Sequence, residues 1–143
     1  MIYSAEILEI DFSDDYEGRL WLRCNSQKLL VAHQIPLDGS SKYLIPGQTL
    51  YIDLWLFYAN PMHSLLPQKQ IPKSLNVVGG VLHGQVEQIF SSNEFSIDCG
   101  ELKIDVLSES SIKKISKRDY IEVSGSYYIF LPGTEYSKEE LWG

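Results

Sequence analysis

The chain has 143 residues, 44% of them hydrophobic and 22% charged, with a formal net charge of −7. That length allows one compact domain, or two small barrels or sheets sharing a core, and the composition is globular rather than disordered. The acidic balance repels phosphate backbones, so nucleic acid is not the expected partner, and no apolar run reaches the roughly 18 residues of a membrane span.

The opening stretch "MIYSAEILEIDFS" has no basic start and no continuous apolar run. It is therefore not read as a signal peptide, and a cytoplasmic location is expected. Ile2–Phe12 reads as a strand in which the adjacent Ile7 and Leu8 break strict alternation. "DFSDDYE", Asp11–Glu17, then crowds four acids into a turn. It lacks the central Gly and the closing Glu of a calcium loop, so a solvated turn is expected and no metal site is assigned.

In "LWLRCNSQKLLV", Leu20, Leu22 and Cys24 share one face, and Asn25–Ser26 makes a two-residue hairpin turn into Gln27–Val31. Pro36–Pro46 is a long connection rich in turn formers. Gly47–Ala59 is the strongest strand. Leu50, Ile52, Leu54, Leu56 and Tyr58 are expected on one face, with Tyr51, Asp53, Trp55 and Phe57 on the other. Asn60-Pro61 is expected to end it, and a proline-broken linker follows.

Val77–Phe90 is a strand carrying Gly79, Gly80 and Gly84, a spacing that suits strong coiling or a bulge. No GxxxxGK[ST] pattern accompanies these glycines, so they are not a phosphate loop. "FSIDCGELKIDV" forms a second hairpin around Gly100–Glu101, where a leading Gly suits a type II′ turn. Ser108–Lys117 is expected as a short helix with Ile112 and Ile115 inward. In "RDYIEVSGSYYIFL", Ile121, Val123, Tyr127, Ile129 and Leu131 share a face, and an acidic tail ends the chain, with Trp142 tucked back.

The two hairpins align at an offset of 75 (99 − 24), with Leu20 at Phe95, Leu22 at Ile97, Leu29 at Ile104 and Val31 at Val106, which makes Cys24 and Cys99 equivalent core positions. The long strands match at 71 (121 − 50), and "EILEI" matches "QVEQI" at 79 (85 − 6). The expected fold is therefore all-β or mainly β, with at most one or two short helices. It contains two similar β units, either tandem OB-like barrels or one duplicated β-barrel or sandwich. The divisions are a first unit over 1–60, a linker over 61–76 and a second unit over 77–143. Both cysteines are expected to be reduced and buried, with a Cys24–Cys99 disulfide as the alternative.

The glycine-interrupted strand, the hairpin, the short helix and "RDYIEVSGSYYIF" give residues 77–131 a pattern that resembles the oligonucleotide/oligosaccharide-binding barrel, the OB-fold. That resemblance implies a ligand face across the middle strands. Here the face offers Ser96, Asp98, Lys103 and Asp105, a poor platform for nucleic acid.

Motifs for chemistry are sparse. His33, His63 and His83 are 30 and 20 residues apart (63 − 33; 83 − 63), and there is no CxxC or HExxH. A folded Cys99–His83 pair, or carboxylates drawn from Asp53, Asp98 and Asp105, would be needed for an enzyme. The basic run "KKISKR", Lys113–Arg118, is short and flanked by acids, so it reads as a solvated loop. No catalytic residue and no cofactor is assigned.

The candidate binding residues are Tyr51, Asp53, Trp55 and Phe57, because the matched face of the last strand carries Glu122, Ser124, Ser126 and Tyr128 instead. Either the aromatics pack against the linker or the other half, or they form a contact patch. With an acidic surface, such a patch points to a protein partner with a basic face, as for an inhibitor or immunity-type protein. The alternatives are a β module that stacks a sugar or base on Trp55, Tyr51 or Tyr58, and an enzyme whose site assembles on folding.

Overall fold

A computed structural model of the chain describes residues 1–11, 18–33, 45–72, 77–112 and 114–132. The acidic turn Asp11–Glu17, the connection Pro36–Pro46, the end of the linker and the tail with Trp142 lie wholly or partly outside the described residues. The described chain is all β: β1 (Ile2–Asp11), β2 (Gly18–Cys24), β3 (Gln27–His33), β4 (Thr49–His63), β5 (Gly80–Ile89), β6 (Glu94–Asp98), β7 (Lys103–Ser108) and β8 (Tyr120–Phe130). Among the described residues there is no helix, and hence none long and apolar enough to cross a membrane.

The strands form one sheet in the order β1-β2-β3-β8-β4-β7-β6-β5, and further pairings of β1 with β4 and of β5 with β8 fold it back on itself. Two closed circuits result, β1-β2-β3-β8-β4 and β5-β6-β7-β4-β8, which share the two long strands. Pairing is antiparallel except for β3 with β8 and β4 with β7, which are parallel. Every described strand has two neighbours, but some stretches pair on one side only, among them residues 27–31 of β3 and 60–63 of β4.

Alternation explains the inward faces. Leu20, Leu22 and Cys24 of β2 and Phe95 and Ile97 of β6 are all buried, with Cys99 just beyond. Asn25 (φ 47°) and Ser26 (φ 69°) both take the left-handed conformation, which matches the twist of a tight hairpin. Gly100 (φ 92°) plays that part in the second hairpin, where its N–H donates to Asp98 Oδ1 at 2.9 Å. The adjacency of Ile7 and Leu8 marks a register shift between Ile7 and Glu9. Its counterpart in β5 lies between Val86 and Gln88.

Two local expectations require correction. β4 does not stop at Asn60-Pro61 but runs to His63, and Tyr58 is not on the inward face. At Tyr58 the backbone turns left-handed (φ 54°), with a register shift between Phe57 and Asn60 against β8. The extra residue flips the alternation, so Ala59 takes the buried position. Past Ala59 only β8 flanks β4, and a residue without an N–H is tolerated on the open side.

The other correction concerns Ser108–Lys117: Ser108 closes β7, and the remaining described residues form bends, turns and irregular backbone, Lys113 lying outside them. Ile112 and Ile115 are buried as their spacing predicts. The Ile112 N–H, however, donates to Ser92 O in another segment, and a run rich in Ser and β-branched Ile holds a helix weakly.

One apolar cluster takes residues from all eight strands, from Ala5 and Ile7 of β1 to Tyr127 and Ile129 of β8, so the interiors of the two circuits are continuous. Cys24 and Cys99 lie in it as free thiols, and the disulfide alternative is not realised.

Candidate functional site

The four predicted binding residues lie along β4 but do not form one exposed patch. Tyr51 is 69% exposed, whereas Trp55 is 9% and Phe57 0% exposed. Phe57 stacks on Tyr128 of β8 with ring centroids 5.1 Å apart, and Phe130 (5.7 Å) and Trp55 (5.9 Å) complete the group. With Ala32 and Leu107 these rings form a second apolar cluster on the outer side of the sheet, where the parallel pairs meet the shared strands. Burial of this much aromatic surface is a strong packing term.

Asp53 belongs to a polar group at the β4–β7 seam. The Met1 amino group donates to Asp53 Oδ1 at 2.7 Å and also to the Asp105 carboxylate. Two of the three carboxylates considered as a catalytic pair thus converge on one cation. The third, Asp98, lies elsewhere and pairs with Lys69 Nζ at 2.8 Å. Partial burial would raise the Asp98 carboxyl, but Lys69 and the Gly100 N–H outweigh it and hold the group below its usual range. Beside this seam the Tyr3 hydroxyl accepts from the Lys103 N–H and donates to the Lys103 C=O, both at 2.8 Å. That clip ties β1 of one circuit to β7 of the other.

The two hairpins differ in the sign of their charge. From Gly18 to His33 there are three bases, Arg19, Arg23 and Lys28, and no acid. From Glu94 to Ser108 there are four acids, Glu94, Asp98, Glu101 and Asp105, and one base, Lys103. The formal charges are therefore +3 and −3 (1 − 4). On the first hairpin Lys28 Nζ lies 4.7 Å from the Trp21 ring centroid, and Arg23 pairs with Glu6 of β1 at 3.0 Å. Arg19, Trp21, Arg23 and Lys28 went unassigned in the sequence reading. Their signal was available: Arg–x–Trp–x–Arg on alternate positions facing a Lys.

The nucleophile candidates are unsuited to attack. Burial pushes the Cys24 thiol up to about 11 and the Cys99 thiol up to about 12, which leaves both protonated near neutrality. His33 is buried, which lowers its pKa to about 4, and the ring fills the space beside Gly18. His63 meets Asp119 at 3.1 Å on the surface. His83 lines a cavity that Cys99 does not reach. Among the described residues no three His, Cys, Asp or Glu side chains converge as a metal site.

One hollow lies beside β5 and β8, and another beside the end of β4 and the segment after β7. One, of about 410 Å³, is lined by Gln70, Pro72, Val77, Val81, His83 and Glu122 together with Gly79 and Gly80. The other, of about 450 Å³, is lined by Pro61–His63, Ser110–Ile112, Lys114 and Ile115. Compared with protein-family models and with curated protein sequences, the chain matches none.

Proposed function

We propose that the chain is a pair of OB-like barrels, descended from one duplicated unit and fused through β4 and β8. In this reading it acts as a small acidic interaction module that docks a basic protein partner. The construction is supported by register. Under the offsets of 79, 75 and 71, Ala5↔Leu50 corresponds to Gly84↔Ile121, Ile7↔Leu22 to Val86↔Ile97, and Leu22↔Leu29 to Ile97↔Ile104. The pair Leu56↔Tyr127 maps onto itself, as a pseudo-twofold axis between β4 and β8 requires. Each circuit has the strand order 1-2-3-5-4 of an OB barrel, the fifth strand being supplied by the other half.

The function reading is carried by the charge contrast of the hairpins. The acidic charge of β6–β7, offset in part where Lys69 meets Asp98 and the Met1 amino group meets Asp105, attracts a basic surface and orients its approach. An inhibitor or immunity-type role, in which carboxylates take the place of phosphates on a nucleic-acid-binding partner, is the form we favour. Two reduced, buried cysteines fit a cytoplasmic setting.

The test is affinity isolation with the full chain from lysate of its own cell type, at low and moderate salt, beside a Gln88→Lys/Glu101→Lys double variant, in which the exposed Gln88 pairs with Ser96 of β6 and Glu101 lies in the hairpin turn. One stoichiometric basic protein, weakened by salt and lost with the double variant, is the expected result. Absence of a partner, or retention by the double variant, defeats the reading. A second reading, a module for small anionic sugars or oligonucleotides, is favoured by the Trp21–Lys28 contact. It predicts a change in tryptophan fluorescence on titration with such ligands.

A further inference from the structure

The chain leaves β4 with its apolar side chains turned to solvent. Leu65 is 100% exposed, Leu66 63% and Met62 61%. A fixed local turn presents them. The Leu66 N–H donates to Ser64 Oγ at 3.3 Å, the Ser64 hydroxyl donates to Leu66 O at 3.0 Å, and the Gln68 N–H donates to the same carbonyl at 3.0 Å. The Ser64 N–H donates to Tyr120 O at 2.9 Å, which roots the turn on the first residue of β8. A single exposed leucine is ordinary, but Met62, Leu65 and Leu66 on one pinned turn form an apolar tip.

The setting of the tip is basic in a chain that is acidic as a whole. In sequence, the linker over 61–76 and the segment 110–118 hold Lys69, Lys73, Lys113, Lys114, Lys117 and Arg118 and no Asp or Glu, a formal +6. The remaining residues therefore sum to −13 (−7 − 6). The fold brings the two segments together. Met62 and His63 line one hollow with Ile112, Lys114 and Ile115, and His63 meets Asp119 at 3.1 Å. Lys114, Lys117 and Arg118 are all exposed. Asp98 engages Lys69, Glu109 and Asp119 flank the basic segment, and Glu122 lies opposite Met62, so the local excess falls to +2 (6 − 4) without changing sign.

An apolar tip beside exposed cations has the layering of a bilayer surface, in which anionic headgroups lie over hydrocarbon. A nucleic acid would meet the cations and leave the leucines in water, whereas a bilayer takes both. We infer that this face binds an anionic membrane surface peripherally. Leu65, Leu66 and Met62 enter the boundary between headgroups and acyl chains, and Lys114, Lys117 and Arg118 lie among the headgroups. The acidic remainder of the chain is repelled by the same surface, so charge as well as apolarity sets the pose. This inference does not rest on the partner reading.

The experiment is co-sedimentation of the full chain with vesicles of phosphatidylcholine mixed with phosphatidylglycerol, beside vesicles of phosphatidylcholine alone, at low and high salt. Binding to the anionic vesicles should exceed binding to the neutral ones by roughly tenfold and should fall as salt is raised. Leu65→Ser/Leu66→Ser should weaken it by roughly tenfold or more, and Lys114→Gln/Lys117→Gln by roughly tenfold. Ile45→Ser, which removes an exposed apolar side chain ahead of the start of β4, should leave it unchanged. In a Leu65→Trp protein, lipids brominated on the acyl chain should quench more tryptophan emission than in the wild type, which reads entry of the tip itself.

Absence of binding to the anionic vesicles, equal binding to the neutral ones, a folded Leu65→Ser/Leu66→Ser protein that partitions like the wild type, or no added quenching in the Leu65→Trp protein overturns the inference. The comparison of the two vesicle types needs no variant and stands if the double variant fails to fold. A self-associated chain that Leu65→Ser/Leu66→Ser renders monomeric, with vesicles left unbound, assigns the tip to a second copy and overturns the inference as well.

Discussion

The first hairpin, β2–β3, and the second, β6–β7, have the same strand register and two-residue turns at the same place, yet they carry opposite charge. Inward positions are alike: Leu22 matches Ile97, and Cys24 matches Cys99, all buried. Outward positions are not. Trp21 answers to Ser96, Leu30 to Asp105, and Lys28 to Lys103, which lies on Glu87 at 2.7 Å rather than over a ring. The core constrains residue type by volume and apolarity, while the outer face is under no such constraint, and it is there that the two hairpins differ.

The largest expected break between them is in acid. His33 ends the first hairpin, and its counterpart in the second is Ser108, also buried. In the unfolded chain His33 takes up a proton below its ordinary value of 6.5, but in the folded chain only below about 4. Between these values the unfolded state holds more protons, so stability is full above about pH 6.5 and declines as the pH falls toward 4. The total is about 3 kcal/mol. Urea denaturation across this range should show the slope in the wild type and lose it in His33→Gln.

The next effect is steric. Ala5 and Gly84 hold equivalent places opposite the hairpins, but a Cβ on Gly84 would lie 2.5 Å from Asp98 O and 2.6 Å from Ile97 Cγ1. Gly84→Ala should therefore cost about 2 kcal/mol by overpacking, against roughly 1 kcal/mol for Ala5→Gly through added backbone freedom. Equal denaturation midpoints for the two variants would mean that the circuits are packed alike.

Smaller still is the clip between circuits. Tyr3→Phe removes both hydrogen bonds to the Lys103 backbone and should cost about 1 kcal/mol. Its counterpart, Leu82, has no hydroxyl, so amide exchange should quicken near Lys103 and stay unchanged around Lys28. The smallest effect concerns the matched lysines. Lys28→Gln loses a cation–π contact of about 0.5 kcal/mol, and Lys103→Gln loses an exposed ion pair. Only the second loss should shrink as salt is raised, which thermal melts at two ionic strengths would detect.

Much of this was legible in the sequence because strand alternation, hairpin turns and the Ile7–Leu8 break are local. Each follows from side-chain period and backbone torsion within a few residues. Tyr58 was misplaced because a bulge is a property of two strands together, and β8 lies over sixty residues away. The segment after β7 was misread for a similar reason, since the acceptor for the Ile112 N–H is Ser92. The candidate site was only partly legible. Trp55 and Phe57 stand out by composition, but whether a ring meets solvent or Tyr128 depends on which strands are neighbours.

By itself, then, the sequence determined an all-β chain, the inward face of each hairpin and the sign of each outward one. Only the tertiary structure decided that β4 and β8 are shared by two closed circuits, that Phe57 is buried against Tyr128, and that Asp53 and Asp105 meet at one amino group. Alternation reports which side of a strand is apolar. It carries no information about which strand lies next to it, and that choice belongs to the packing of the whole chain.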